Sequence, residues 1–350
     1  MRLVDLAKIG FVLFMLLNVT PIMVWLERKI SAAIQGRIGP NRTAVFGFAA
    51  AGFFQPLADA IKFIFKEDIV PRTADRFLYT FAPTLVLIPP MIAFTVIPFG
   101  HKWGDENLVV AELPIGILLV MSVLSIGVYG IAFGGWASNS KYSLLGGLRA
   151  SAQMISYELT LGLTIITAIM LSGTVNPVEI VERQAREGWN VFGGGNWLMA
   201  PFGIVAAVLF YTAGLAENNR IPFDLPECEA ELVGGYHTEY SSMKFAMFFM
   251  GEYVAMATMS ALLVTLWLGG WHFPWIIDPN GTHWTDAALS HVVFAVKTGL
   301  VLLLYIWIRW TLPRFRYDQL MNLGWKTLVP IALVNLAIMA VIGVLTHGPA

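Results

Sequence analysis

The sequence predicts an all-α integral membrane bundle of about eight transmembrane helices, with a further amphipathic helix lying in the interface of the first cytoplasmic loop. Three observations predict it. Hydrophobic residues are 57% of the 350 and charged residues 13%, whereas a soluble domain carries about 25% charged residues and could not cover this composition with polar surface. Eight apolar stretches reach the roughly 20 residues a helix needs to cross the hydrocarbon core. Lysine and arginine crowd into alternate loops, as an oriented multi-pass chain requires.

The stretches run over about 6–26, 80–99, 115–133, 153–172, 200–216, 246–268, 291–309 and 328–346. The first continues to Leu26 without a small-residue cleavage pattern and ends on Glu27-Arg28-Lys29, so it reads as a retained span rather than a signal peptide. Between the first two spans, residues 46–66 are apolar enough to resemble a ninth. Yet Leu57, Ile61, Ile64 and Phe65 form one helical stripe, with Asp59, Lys62 and Lys66 on another face and Pro56 suited to a first turn. This is the pattern of a helix lying in the interface.

The loop 27–79 holds eight basic residues, among them Arg28, Arg37 and Lys62, and the later odd-numbered loops bring that side to sixteen. The other side has five: Arg2, Lys8, Lys102, Arg183 and Arg186. The odd loops therefore belong in the cytoplasm, and both termini belong on the outer side. A ninth span would invert every later loop and erase this asymmetry. With no Gly/Ser linker, low-complexity tract or clear internal repeat, residues 1–350 read as a single membrane domain. The outer loops 173–199 and 269–290 carry Gly, Asn and Trp but little clustered charge, and no function is assigned to them.

Several chemistries lack the residues they need. Cys228 is the only cysteine, so neither an internal disulfide nor a four-thiolate cluster can form. Of six histidines only His291 lies near an apolar stretch, at its edge, which leaves no pair to ligate a haem between two spans. Neither G-x-G-x-x-G after a strand nor G-x-x-x-x-G-K-[ST] occurs. The net charge of −1 gives nucleic acid no electrostatic attraction. No metal site is expected.

Residues 216–240, AENNRIPFDLPECEAELVGGYHTEY, are the most informative. Six acids (Glu217, Asp224, Glu227, Glu229, Glu231, Glu239) fall within 23 positions beside one Arg220. A solvated acidic loop is one reading. The other is a cluster held at the bilayer surface, because the loop joins two spans directly and is interleaved with apolar residues such as Ile221, Phe223 and Leu232. Carboxylates crowded there titrate as a coupled set. Within the spans stand Glu158, Glu252 and Lys297. Charges at that depth cost about 2.5–3.5 kcal/mol on insertion scales and usually face the bundle interior. A structural ion pair or snorkelling is expected for Lys297. The net charge of +3 on the first loop further suggests attraction to the acidic loop. A polar roof, an interfacial helix and membrane carboxylates suit an amphiphile that takes up protons, such as a quinone, but they also suit a proton-coupled transporter.

The segments ERKISAAIQGRIGPNR (27–42), PLADAIKFIFKE (56–67), GWASNSKYSLLGGLRASAQMISYE (135–158), the 216–240 loop, FFMGEY (248–253) and LPRFRYDQLM (312–321) together resemble the quinone-site membrane subunit of bacterial respiratory complex I, the mitochondrial NADH dehydrogenase subunit 1 family. The resemblance implies a bacterial inner-membrane subunit of NADH:quinone oxidoreductase. It implies a chamber for the substrate quinone, lined or shaped by Arg28, Arg37, Asp59, Arg220 and Arg309, with Phe223 as an apolar wall. It implies a proton-coupling path through Glu27, Glu158, Glu217, Glu227, Glu229, Glu231 and Glu252, with Glu239 and Tyr240 bracing the loop. No complete active site is expected in this chain alone. FMN and iron–sulfur clusters would belong to partner subunits: peripheral ones over the cytoplasmic face, and small and antiporter-like ones in the membrane. The alternatives are the homologous subunit of a hydrogenase or formate hydrogenlyase, a proton-coupled secondary transporter, which predicts inverted repeats, and a structural anchor. The full acidic stretch favours the quinone enzyme.

Overall fold

The computed structural model describes residues 3–44, 47, 50–104, 106–225, 232–274, 276–277 and 283–347. Glu227, Glu229 and Glu231, and Cys228 among them, lie outside the described residues. Eleven α-helices are described: α1 (Leu3–Ile34), α2 (Gln55–Phe65), α3 (Arg76–Phe94), α4 (Gly116–Ala137), α5 (Lys141–Ser172), α6 (Pro177–Glu187), α7 (Ala200–Glu217), α8 (Ser242–Trp267), α9 (Trp284–Thr311), α10 (Tyr317–Asn322) and α11 (Val329–His347). No β-strand occurs among the described residues; Trp103 and Glu106 form one isolated bridge. Eight of the described helices are long and apolar enough to cross a membrane, and each overlaps one predicted stretch.

Most of the helices are longer than the apolar stretches that predict them, although α3 ends at Phe94, short of the predicted 99. α1 and α5 have 32 residues each, about 48 Å of helix against roughly 30 Å of hydrocarbon. The excess of α1 carries Glu27, Arg28 and Lys29 beyond its apolar part as helix rather than loop. In α5 the sequence Lys141–Ala152, diluted by Gly, Ser and Arg, continues the helix ahead of the predicted start. Glu158 thus sits in mid-helix, not near a helix end as its place in the predicted span implied. The last span runs from Tyr317 to Thr346 and contains a π-helical stretch, Leu323–Leu328.

α2 is the interfacial helix. Its 11 residues are too short to cross the hydrocarbon core. Pro56 occupies the first turn, where its missing N–H is no loss. Leu57, Ile61, Ile64 and Phe65 remain exposed on its outer stripe. α8 lies at the centre of the bundle, with contacts to α1, α2, α3, α6, α7 and α9. Nearly every side chain from Tyr253 to Trp267 is buried. Close approach of α4 and α5 depends on absent side chains. A Cβ at Gly135 would lie 2.5 Å from the Ser143 carbonyl oxygen. A Cβ at Gly146 would lie 2.8 Å from both the Gly235 Cα and the Tyr236 nitrogen.

The loop after α5 holds an element that periodicity could have revealed. In α6, Asn176 caps the helix by accepting from the Val178 N–H, Pro177 follows, and Val178, Ile180, Val181 and Gln184 are buried. Gln184 donates to the Thr265 carbonyl (2.8 Å), and Asn190 donates to that of Leu266 (2.8 Å). Lys297 differs from its expected role. Its ammonium donates to the carbonyls of Leu268 (2.6 Å), Gly270 (3.1 Å) and His272 (2.6 Å), 4.2 Å from the Trp189 ring centroid. It caps the C-terminal end of α8, where a cation complements the helix dipole. Unsatisfied carbonyls, rather than a carboxylate or the bilayer surface, hold it.

Candidate functional site

Four helix ends meet on one side of the bundle: the ends of α1, α7 and α9 and the first turns of α8. They converge because alternate spans run in opposite directions. At this junction the Arg220 Nε lies 2.6 Å from Glu252 Oε1, and its Nη1 lies 3.8 Å from Glu27 Oε2. Arg309 forms an ion pair with the other oxygen of Glu27. The Tyr253 hydroxyl donates to Glu27 Oε2 at 2.6 Å, and its ring lies 4.4 Å below the Arg220 guanidinium. Two carboxylates and two guanidiniums thus share one buried cluster. In a medium of reduced dielectric such pairs are stable only when mutually neutralised.

The turn that delivers Arg220 is fixed by Gln153 of α5. Its side-chain amide donates to the Ala216 carbonyl (2.7 Å), Asn219 Oδ1 (3.1 Å) and the Phe223 carbonyl (2.8 Å). Asn219 takes φ +49° there, a conformation that asparagine tolerates better than most residues. Phe223 is buried between the rings of Tyr157 and Phe315, each 5.5 Å away.

On the neighbouring face of α1, Arg28 Nη2 lies 2.8 Å from Asp59 Oδ2 of α2, with Lys62 3.8 Å from the same carboxylate. These three charges stand at one end of a groove of about 1150 Å³ between α1, α2 and α8, whose remaining wall includes Leu17, Val24, Phe63, Phe249 and Met250. Arg37 does not join them. It is exposed, and its Nε donates to Gln35 Oε1 beside it (2.7 Å).

Deeper in the bundle, the Ser125 hydroxyl donates to Glu158. Glu217, the last residue of α7, lies close enough to Glu158 for their charges to interact. Its Oε2 is buried and accepts no hydrogen bond. A partly open cavity is lined by Glu217, Asn218, Asn219, Tyr236 and Glu252 together with apolar residues such as Leu124, Ile131, Met154 and Met259, so it joins Glu217 to Glu252.

Among the described residues the two surface loops are joined by other contacts than attraction between their opposite net charges. Acidic Asp68 of the first loop pairs with Lys244 at the start of α8 (2.8 Å). The Ile69 N–H donates to Ser241 Oγ (2.9 Å), and the Tyr79 hydroxyl donates to the Glu239 carbonyl (2.7 Å). Tyr240 stacks on Tyr79 at 4.1 Å and 4°. Burial, and then the neighbouring Tyr79, push the Tyr240 phenol up, so it stays neutral. Arg28 pairs with Asp59 rather than with the acidic loop.

Sequence reading passed over Gln153 and Tyr253. Gln153 is a bare amide inside an apolar stretch, and Tyr253 directly follows Glu252. Among the described residues no group of three or more His, Cys, Asp or Glu is placed to hold a metal ion.

Fold and site together define a multi-pass α-helical membrane protein with a charged cluster at one end of its bundle and an apolar groove alongside. Residues 7–340 match the NADH dehydrogenase family, and the chain belongs to it. It is 48% identical over 340 residues to an NADH-quinone oxidoreductase subunit of Syntrophobacter fumaroxidans, covering 96% of this chain and 95% of that protein. It is 46% identical over 320 residues to the corresponding NADH-quinone oxidoreductase subunit of Cytophaga hutchinsonii, covering 89% and 88% respectively. It is also 46% identical over 329 residues to "NADH-quinone oxidoreductase subunit 8" of Rhodothermus marinus, covering 91% of each chain.

Proposed function

We propose that this chain is the membrane subunit of an NADH:quinone oxidoreductase that forms part of the quinone chamber and couples quinone reduction to proton translocation. The observation that carries the reading is the Glu27–Arg309–Arg220–Glu252 cluster, with the groove and its Arg28–Asp59 pair on the adjoining face of α1. A quinone has a long apolar tail and a polar head, and the groove is apolar along its wall and charged at one end.

In this reading the groove admits the tail, and Arg28, Asp59 and Lys62 meet the head as it leaves the bilayer. Arg220 and Arg309 shape the chamber beyond. Arg37 belongs to its exposed rim and Phe223 to its buried wall. NADH oxidation, with FMN and iron–sulfur clusters, takes place in partner subunits over the cytoplasmic face, while small and antiporter-like subunits adjoin in the membrane. Reduction of the quinone takes up two protons. The resulting change of charge alters the balance of the buried cluster, and at an effective dielectric near 20 one unit charge is felt by about 4 kcal/mol at 4 Å. Glu252 passes this on through the cavity it shares with Glu217, and thence to Glu158. Glu227, Glu229 and Glu231 would extend the same path.

Localisation follows from the same reading: the bacterial inner membrane, with the cluster facing the cytoplasm and both termini in the periplasm. The sixteen-to-five distribution of basic residues supports this orientation. Exposed aromatics at the two faces, Trp103, Trp197 and Trp284 on one and Trp136 and Trp307 on the other, support the spanning itself.

Glu252→Gln in the assembled enzyme tests the proposal. NADH:quinone activity should fall several-fold while NADH:ferricyanide activity, which needs only the peripheral arm, is retained. Unchanged quinone turnover and proton pumping would refute it.

A further inference from the structure

α1 is walled by a second groove, on the side facing α9. It extends from Phe11 and His291 near the outer face to Leu26 and Leu303 near the inner one. We propose that this groove binds the acyl chains of a membrane phospholipid. The inference depends on the chain spanning a bilayer, not on its handling a quinone.

Polarity separates this groove from its neighbour. The other one ends on Arg28, Asp59 and Lys62. This one has no charged residue in its lining among the described residues, and the polar side chains there are His291 and Thr298. His291 is already engaged through Nδ1 with the Phe99 carbonyl at 3.1 Å. A ligand held here is therefore recognised by its chains and leaves its head at the bilayer surface. That describes a phospholipid better than a quinone, whose head has to be met by polar groups.

Size decides between a lipid and a helix of another protein chain. The fifteen steps of α1 from Phe11 to Leu26 span about 22 Å. The groove encloses about 1200 Å³ including its open side, which gives a mean cross-section of at most about 55 Å² over that length. A helix 10–12 Å across needs roughly 80–110 Å². Slender alkyl chains can fill such a groove along its length, whereas a helix would rest across its mouth with only side chains entering. An empty apolar groove would forfeit dispersion contacts along both walls, and an apolar cavity does not take up water in their place.

The test uses the assembled enzyme in native membranes, with the photo-crosslinker p-benzoylphenylalanine replacing Ala295, which lines the groove. The same crosslinker replacing Val341, exposed on α11 outside the groove, reports ordinary contact with bulk lipid. Mass spectrometry should find a phospholipid adduct at position 295 several-fold above that at 341. Gly299→Phe should suppress the adduct at 295 to the level at 341, because a Cβ at Gly299 meets nothing within 4 Å and the ring can fill the groove without a backbone clash. A quinone adduct, a peptide adduct from a neighbouring chain, or a phospholipid yield no higher than at 341 would each overturn the proposal.

Discussion

Arg220 and Glu252 stand 2.6 Å apart, from the turn after α7 and the third turn of α8, the first buried and the second largely so. They are distant in the chain, and each lies beside a different part of the site. Arg220 reaches Glu27 and the groove side, while Glu252 lines the cavity shared with Glu217. Whatever changes the charge near one is transmitted to the other.

Removing one member of a buried pair leaves an uncompensated charge, which costs about 3–5 kcal/mol. Arg220→Gln should therefore weaken quinone-site inhibitor binding by at least an order of magnitude and lower the thermal stability of the enzyme. Replacing both Arg220 and Glu252 by glutamine should recover much of the stability but not the inhibitor affinity. Differential scanning fluorimetry beside an inhibitor titration separates the two. Equal recovery of both would mean that the pair is only structural.

Tyr253→Phe removes one hydrogen bond to Glu27 and keeps the ring under Arg220. A single bond to a charged partner contributes about 1.5–3 kcal/mol. The variant should assemble normally and show a several-fold reduction in NADH:quinone turnover, with ferricyanide reduction unchanged.

Gly146→Ala places a methyl group against the backbone of Gly235 and Tyr236. Overpacking of this kind costs about 1–3 kcal/mol, and the segment displaced leads directly to the Tyr79–Tyr240 stack. Lower yield of assembled enzyme is expected, measured by native gel. Gly299→Ala, which meets open space, should be neutral.

The turn after α8 should respond to acid. Burial first, then the charge of Lys297 and then His101, hold the His272 pKa below its ordinary value of 6.5. Folding therefore favours neutral His272, and the unfolded segment binds the proton more readily. The associated stability is present above about pH 6.5 and is lost as pH falls below it toward the depressed folded value. Protection factors at residues 268–272, which divide out the intrinsic pH dependence of amide exchange, should be lower at about pH 5.5 than at about pH 7.5, and His272→Gln should remove most of the difference.

The spans were legible because twenty apolar residues in a row admit few other uses, and α2 was legible because its stripe and its charges alternate with helical period. The first half of α5 was not, since Gly146, Gly147 and Arg149 lower the local hydropathy of what is nevertheless helix. α6 escaped because its polar face dilutes an apolar stripe of three residues and an amide. At the site, the charged residues were visible as exceptions in an apolar chain. Their partners were not: that Arg28 meets Asp59 while Glu27, one residue earlier, meets Arg309 and Tyr253 follows from the rotation of α1 between two grooves. Lys297 was visible as a buried cation, but the turn whose carbonyls hold it is marked only by Gly269-Gly270, which signals the end of α8 and not a cation site.

The central claim is that the glutamates joined by the inner cavity couple quinone chemistry to proton movement. Glu217→Gln tests it most directly, because Glu217 touches that cavity without touching the ion-paired cluster. In proteoliposomes the number of protons pumped per NADH oxidised should fall while electrons still reach quinone. An unchanged ratio in an enzyme with normal turnover would contradict the account.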